Sequence, residues 1–193
     1  AGLGPNEPVL IDISGTSPTF TVPNQIAEHT NPDVGGGTHV VVTGQLEQFE
    51  FIEQMIGGEA DDTLIGNSRD NLLDGRDGSD LELGAAGDDT YVFVTGNPGD
   101  NDQLVETIGS DTLDFSRIPD AVTVDLATPP IFTTAPVIAR WGLPEQVVET
   151  PAPGLFENVI GTADADTIRG SDEDNRLEGR DQNDVLYGLG GDD

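Results

Sequence analysis

Glycine returns every nine residues in two stretches of this chain, and that period constrains the fold more than any other feature. The first stretch reads GGEADDTLI-GNSRDNLLD-GRDGSDLEL-GAAGDDTYV from Gly57 to Val92, and the second reads GTADADTIR-GSDEDNRLE-GRDQNDVLY-GLGGDD from Gly161 to Asp193. Position 1 of each unit is Gly57, Gly66, Gly75, Gly84, Gly161, Gly170, Gly179 or Gly188. Position 6 is always Asp or Asn: Asp62, Asn71, Asp80, Asp89, Asp166, Asn175, Asp184 and Asp193. Position 8 is large and apolar in Leu64, Leu73, Tyr91, Ile168, Leu177 and Leu186, but Glu82 breaks the rule between Leu81 and Leu83. Glycine makes up only 25 of 193 residues, so a chance register of this length is excluded. Units of this size, each with a turn and a short apolar segment, cannot bury a face alone and must stack on one another.

The chemistry of the turn follows from its residue types. Backbone carbonyls converging beside one carboxylate offer only hard oxygen donors, which suit Ca²⁺ and not zinc or copper. A tight turn of this kind gains from glycine at position 4, where the backbone takes unusual dihedrals. Gly78, Gly87 and Gly191 satisfy that place, whereas Ala60, Arg69, Asp164, Glu173 and Gln182 occupy it elsewhere. The best-formed turns are therefore expected at 75–80 and 84–89, with 188–193 cut off by the end of the sequence. The competing reading is a metal-free solenoid whose Asp and Asn side chains cap the turns by hydrogen bonds. It fits the first unit of each stretch best.

These units resemble degenerate copies of the RTX nonapeptide, GGxGxDxUx, in which U is a large aliphatic residue. The run IEQMIGGEADDTLIGNSRDNLLDGRDGSDLELGAAGDDTYVF (52–93) is similar to the calcium-binding module that closes serralysin-type secreted proteases. DTLDFSRIPDAVTVDL (111–126) and FENVIGTADADTIRG (156–170) resemble spacers of large bacterial RTX proteins. The resemblance implies an all-β fold, a parallel β-roll or β-helix with irregular β spacer segments, and Ca²⁺ as the bound ion. In such a roll successive turns alternate sides, so turns eighteen residues apart stack with the ion between them. That pairs Asp62 with Asp80 and Asp166 with Asp184 on one side, and Asn71 with Asp89 and Asn175 with Asp193 on the other. The expected metal ligands are thus Asp62, Asp80, Asp89, Asp166, Asp184 and Asp193, with Gly75, Asp77, Gly78, Gly84, Ala86 and Gly87 from the two best turns. Asn71 and Asn175 carry one charge fewer and mark weaker or vacant sites.

Other chemistries find little footing. An EF-hand loop needs Glu at its twelfth place, and the nearest run, from Asp70, has Leu72 at a ligand position and Leu81 at the twelfth. The chain has no cysteine and only His29 and His39, which disfavours zinc. HExxH and GxSxG are absent, so no catalytic role is assigned and no enzyme activity is expected of this segment. Seven Arg and no Lys oppose 37 acidic residues, giving a net charge of −30, which argues against nucleic acid or anionic membranes as partners. A chain this charged, with 35% hydrophobic and 5% aromatic residues, is poorly compacted until counter-ions bind, so Ca²⁺ binding is expected to drive folding. No transmembrane run or amino-terminal signal peptide is visible. The resemblance implies a secreted or cell-surface bacterial protein, exported by a signal lying beyond Asp193, of which this is a piece. Calcium ions are the expected partner, with an extracellular polysaccharide or surface protein as a further one, and the segment is expected to act as a monomeric module.

The organisation suggests four parts: a β-rich spacer at 1–56, a first roll at 57–93, a β and proline-rich spacer at 94–160, and a second roll at 161–193. FIEQMIGG (51–58) returns as LFENVIGT (155–162), and GRDGSD (75–80) as GRDQND (179–184), both at the 104-residue offset of the two rolls. Two tandem copies of spacer plus roll are therefore expected, and VLIDI (9–13), VTVDL (122–126), THVVVT (38–43) and FEF (49–51) read as strands. NPGDNDQ (97–103) reads as a polar turn. Residues 127–153 hold Pro129, Pro130, Pro136, Pro144, Pro151 and Pro153, and are expected to loop out with Trp141 against a flank. Three functional readings compete: a calcium-dependent structural module, an accessory module of an extracellular enzyme, and an adhesin segment gripping a polysaccharide or partner through the loop at 127–153, with Trp141 exposed, or at 24–37.

Overall fold

The computed structural model describes residues 54–58, 61–94, 100–127, 137–142, 146–150 and 155–193, and the backbone of 10–12. Its regular structure is all strand. The strands are β1 (Leu10–Asp12), β2 (Gln54–Ile56), β3 (Thr63–Ile65), β4 (Leu72–Asp74), β5 (Leu81–Leu83), β6 (Thr90–Val92), β7 (Asn101–Val105) and β8 (Asp111–Asp114), followed by β9 (Thr123–Asp125), β10 (Val137–Trp141), β11 (Gln146–Glu149), β12 (Phe156–Ile160), β13 (Thr167–Arg169), β14 (Arg176–Glu178) and β15 (Val185–Tyr187). Each nonapeptide supplies one three-residue strand centred on position 8, and successive strands join opposite sheets. One sheet runs β1-β3-β5-β7-β11-β10-β9-β13-β15 and the other β2-β4-β6-β8-β12-β14. Within each repeat stretch neighbours pair in parallel at an eighteen-residue register, as Met55 with Leu73 and Leu64 with Glu82. This is a parallel β-roll. THVVVT (38–43), FEF (49–51) and both histidines lie outside the described residues, while β1 falls within VLIDI and β9 within VTVDL.

The core is the row of position-8 side chains between the sheets. Met55, Leu64, Leu73, Tyr91, Leu104, Leu113, Val124, Val159 and Ile168 are all buried there. Three-residue strands bury little area individually, so cohesion comes from the stack.

Both sheets continue through 94–160. NPGDNDQLV (97–105) and ETIGSDTLD (106–114) prove to be two further nine-residue units, displaced by a four-residue insertion, FVTG (93–96). They place Asp102 and Asp111 at position 6 and Leu104 and Leu113 at position 8. β7 and β8 accordingly pair with β5 and β6 at a 22-residue register, as Glu82 with Leu104 and Tyr91 with Leu113. Position 1 is Asn97 and Glu106, so the glycine signal is missing and only the spacing of Asp and Leu could have exposed them.

The proline-rich stretch departs from expectation. β10 and β11 form an antiparallel pair inserted in the first sheet between β7 and β9 instead of looping out. The prolines fall outside the paired segments: 137–143 and 145–150 contain none, so every ladder donor there is intact. The second sheet joins β8 directly to β12, so the first sheet is two strands wider at this level. Aromatic bulk occupies the widened interior. Phe93 stacks on Phe115 at 4.6 Å between ring centroids, and Trp141 packs across both at 5.7 and 5.6 Å. Trp141 is 6% exposed, which removes it as a surface platform for a sugar ring.

Candidate metal centre

Each turn is built around contact between its first and sixth residues. The position-6 side chain folds back over the position-1 backbone, so a Cβ at Gly57 would stand 2.7 Å from Asp62 Oδ2. The same side chain blocks a Cβ at Gly66, Gly75, Gly84, Gly161, Gly170, Gly179 and Gly188, which explains why the period is marked by glycine. The folded-back oxygen accepts hydrogen bonds from the next residue's N–H, as Asn67 N to Asn71 Oδ1 at 2.9 Å and Thr162 N to Asp166 Oδ2 at 2.6 Å.

The other oxygen reaches the stacked turn. Asp62 N donates to Asp80 Oδ1 at 2.7 Å, Asn71 N to Asp89 Oδ1 at 2.7 Å, Asp166 N to Asp184 Oδ1 at 2.9 Å and Asn175 N to Asp193 Oδ1 at 3.0 Å. The structure thus brings together all four residue pairs expected from the eighteen-residue spacing. It extends the series through the insertion, with Asp80 N donating to Asp102 Oδ1 at 3.0 Å, Asp89 N to Asp111 Oδ1 at 2.8 Å and Asp111 N to Glu157 Oε2 at 2.8 Å.

A second acidic row was not legible from the glycine period. Position 5 carries Asp61, Asp70, Asp88 and Asp174, and each accepts from the N–H of the next stacked turn. Ser79 N donates to Asp61 Oδ1 at 2.9 Å, Asp88 N to Asp70 Oδ1 at 2.9 Å, Ser110 N to Asp88 Oδ1 at 3.0 Å and Asp192 N to Asp174 Oδ1 at 2.8 Å. These exposed carboxylates cap turns by hydrogen bonds.

Backbone geometry separates the turns into two classes. Positions 2 and 4 both have positive φ in 75–80 (Arg76 70°, Gly78 122°), 84–89 (Ala85 81°, Gly87 121°), 179–184 (Arg180 75°, Gln182 68°) and 188–193 (Leu189 84°, Gly191 91°). The turn at 179–184 therefore joins the well-formed class despite lacking glycine at position 4. Gln182 is held there by its side-chain amide, which donates to Ala163 O at 3.0 Å and to Asp164 Oδ1 on the turn stacked beneath. In the pairs 66–71 with 84–89, 161–166 with 179–184 and 170–175 with 188–193, the turn with both positive angles comes second. The residues expected to contribute through the backbone are tied to the preceding turn too: Asp77 N donates to Gly58 O and Ala86 N to Asn67 O, both at 3.2 Å.

Electrostatics makes the first roll a demanding place for carboxylates. Asp62, Asp80, Asp89, Glu82, Glu106 and Asp111 are all buried. Asp80 Oδ2, Asp89 Oδ2, Glu82 Oε1, Glu106 Oε2 and Asp111 Oδ2 have no hydrogen-bond partner. Burial, reinforced by neighbouring acids, pushes Asp80 up to about 8, Asp89 and Asp111 to about 6 and Glu106 to about 8, with Glu82 also raised. Arg117–Asp74, Arg169–Asp125 and Arg176–Glu178 form ion pairs away from these five oxygens. A buried, unpaired carboxylate is costly, and the cost is relieved by a proton or by a cation. Hard oxygens without a basic partner, beside a glycine that leaves room for no side chain, fit a divalent ion of the calcium type. In the second roll Asp166 is buried, Asp184 half-buried and Asp193 exposed.

Comparison with known proteins agrees with this geometry. The family described as RTX calcium-binding nonapeptide repeat (4 copies) matches residues 56–91 and 160–193, about a third of the chain. A search of curated proteins gave no match. The matched units are a structural repeat and not a catalytic one, and their ion is Ca²⁺. The chain carries RTX calcium-binding nonapeptide repeats, folded as a parallel β-roll.

Proposed function

We propose that this segment is a calcium-dependent structural module of a secreted or cell-surface protein, ordered when Ca²⁺ enters the stacked turns. The observation that carries the reading is the set of buried, unpartnered carboxylate oxygens at repeat positions. Asp62, Asp80 and Asp89 in the first roll, and Asp166, Asp184 and Asp193 in the second, would hold the ion, with backbone oxygens of Gly75, Asp77, Gly78, Gly84, Ala86 and Gly87. Asn71 and Asn175 fill the same place without charge. Bound Ca²⁺ supplies the positive charge that seven Arg among 193 residues do not.

Because the ligands come from turns eighteen residues apart, binding free energy is spent on assembling the stack and appears as folding free energy. Sites of this donor type fill at extracellular calcium and stay empty at cytosolic levels, which favours an external location. No helix among the described residues is long and apolar enough to cross a membrane. Circular dichroism tests the reading directly. The chain stripped of calcium is expected to lose most of its β signal and to regain it in millimolar Ca²⁺. A β spectrum unchanged by chelation would overturn calcium-driven folding.

A further inference from the structure

Among the described residues, three buried carboxylates close enough to share one ion meet at the seam between the first roll and the inserted units. Here the turn 84–89 stacks on 106–111, a turn whose position 1 is Glu106 and not glycine. That substitution brings a third carboxylate into the stack. Asp89, Glu106 and Asp111 each present a ligand oxygen within 4.8 Å of the others. Asp89 and Asp111 are 0% exposed and Glu106 is 4% exposed. One oxygen of each, Asp89 Oδ2, Glu106 Oε2 and Asp111 Oδ2, lacks any hydrogen-bond donor.

The remaining oxygens are fixed. Asp111 Oδ1 accepts from Asp89 N at 2.8 Å, and Glu106 Oε1 accepts from the Tyr91 hydroxyl at 3.1 Å, which itself accepts from Gly84 N at 2.8 Å. Each carboxylate is therefore oriented by one oxygen while the other is left free. Gly84 completes the enclosure, since a Cβ there would strike Asp89, Glu106 and Tyr91 together.

We propose that Asp89, Glu106 and Asp111 form a calcium site of their own, at the 22-residue junction and beyond the four pairs set by the eighteen-residue spacing. The choice of Ca²⁺ rests on the reading of the repeats given above, whereas the site rests on these three side chains. Calcium holds oxygens at about 2.3–2.6 Å, so ligands of one ion stand no more than about 5 Å apart, a limit that the three carboxylates meet. Three carboxylates against the single one of the Asn71–Asp89 pair make this the more tightly held ion, because affinity in oxygen sites rises with ligand charge. Asp89 thus serves both neighbours: Oδ1 accepts from Asn71 N at 2.7 Å, and Oδ2 is left for the ion.

Calorimetric titration of the 193-residue chain with Ca²⁺ tests this, using Glu106→Gln, Asp111→Asn and, for a repeat site, Asp184→Asn. Glu106→Gln keeps an acceptor for Tyr91 and is expected to remove one tightly bound ion or to weaken it by about tenfold or more. Glu106→Gly, which restores the residue usual at position 1, is expected to lose the same ion while circular dichroism in saturating calcium stays that of the parent. Unchanged stoichiometry and affinity in both Glu106 variants would overturn the site. Asp184→Asn separates the two readings: if it alone lowers calcium uptake, the repeats bind and the seam does not. If the parent chain itself takes up no calcium, both readings fall.

Discussion

In the first roll the position-8 residues Leu64, Leu73 and Tyr91 are fully enclosed, whereas in the second they run from Ile168, enclosed, through Leu177, partly buried, to Leu186 at 44% exposure. The acids follow the same gradient, from buried Asp62, Asp80 and Asp89 to exposed Asp193. Both stretches obey one local code, so the code does not set burial. Neighbours do: β5 and β6 are followed in their sheets by β7 and β8, while β15 and β14 stand last in theirs. Val185, Tyr187 and Leu189 are correspondingly exposed at that end. A nonapeptide acquires its low-dielectric interior, and with it a strong demand for a cation, from the turns stacked on either side.

The sharpest way to break this comparison is to shorten the same position in both rolls. Leu73→Ala is expected to cost about 2–5 kcal/mol, as a buried leucine truncation does, and Leu186→Ala about 0.5 kcal/mol or less. Urea unfolding in saturating calcium measures both, and equal costs would show that the second roll's face is covered in solution. Gly84→Ala comes next, at about 2–3 kcal/mol, since the added methyl meets Asp89, Glu106 and Tyr91 inside a packed turn. Gly188→Ala should cost less, because the nearest atoms it meets belong to Asp193, which is exposed.

Acidity probes the same contrast without mutation. Asp80, Asp89, Asp102, Glu106 and Asp111 have folded-state values raised to about 6–8 against unfolded values of about 4. A raised carboxylate favours the folded form fully below about pH 4, and that contribution is lost as pH climbs through the folded-state value. The calcium-free chain is therefore expected to hold more β structure at pH 5 than at pH 8, read by circular dichroism in chelator. A β signal that rises with pH would contradict the burial of these acids. The smallest effect belongs to the position-5 row, where Asp88→Ala removes one capping hydrogen bond at a cost of about 1 kcal/mol. Asp174→Ala, its counterpart in the second roll, should cost the same, because both caps are solvent-exposed and owe nothing to the core.

Much of this was legible because one contact writes itself into the sequence. The position-6 side chain lies on the position-1 backbone, so Gly and Asp recur together and announce every turn that contains the pair. The units at 97–105 and 106–114 escaped because Asn97 and Glu106 stand where glycine is usual, and the insertion at 93–96 shifts them out of step. Glu106 was invisible as a ligand for the same reason: a position defined by having no side chain is not searched for one. The prolines of 127–153 mask β10 and β11 in the sequence, because pairing depends only on the proline-free segments between them. Gln182 hid a left-handed residue whose partner, Asp164, lies on another turn, a relation that no local pattern carries.

The two acidic rows point in opposite directions along the stack. Position 6 accepts from the turn before it, as Asp80 does from Asp62 N, while position 5 accepts from the turn after it, as Asp61 does from Ser79 N. Adjacent rungs are thus clasped reciprocally, and the clasp survives the insertion through Asp102 and Asp88. In a one-dimensional array, the range over which neighbours melt together depends on the strength of each nearest-neighbour link. Reciprocal links raise that range, and because none is missing between the first roll and the inserted units, heat is expected to melt this part of the array in one step.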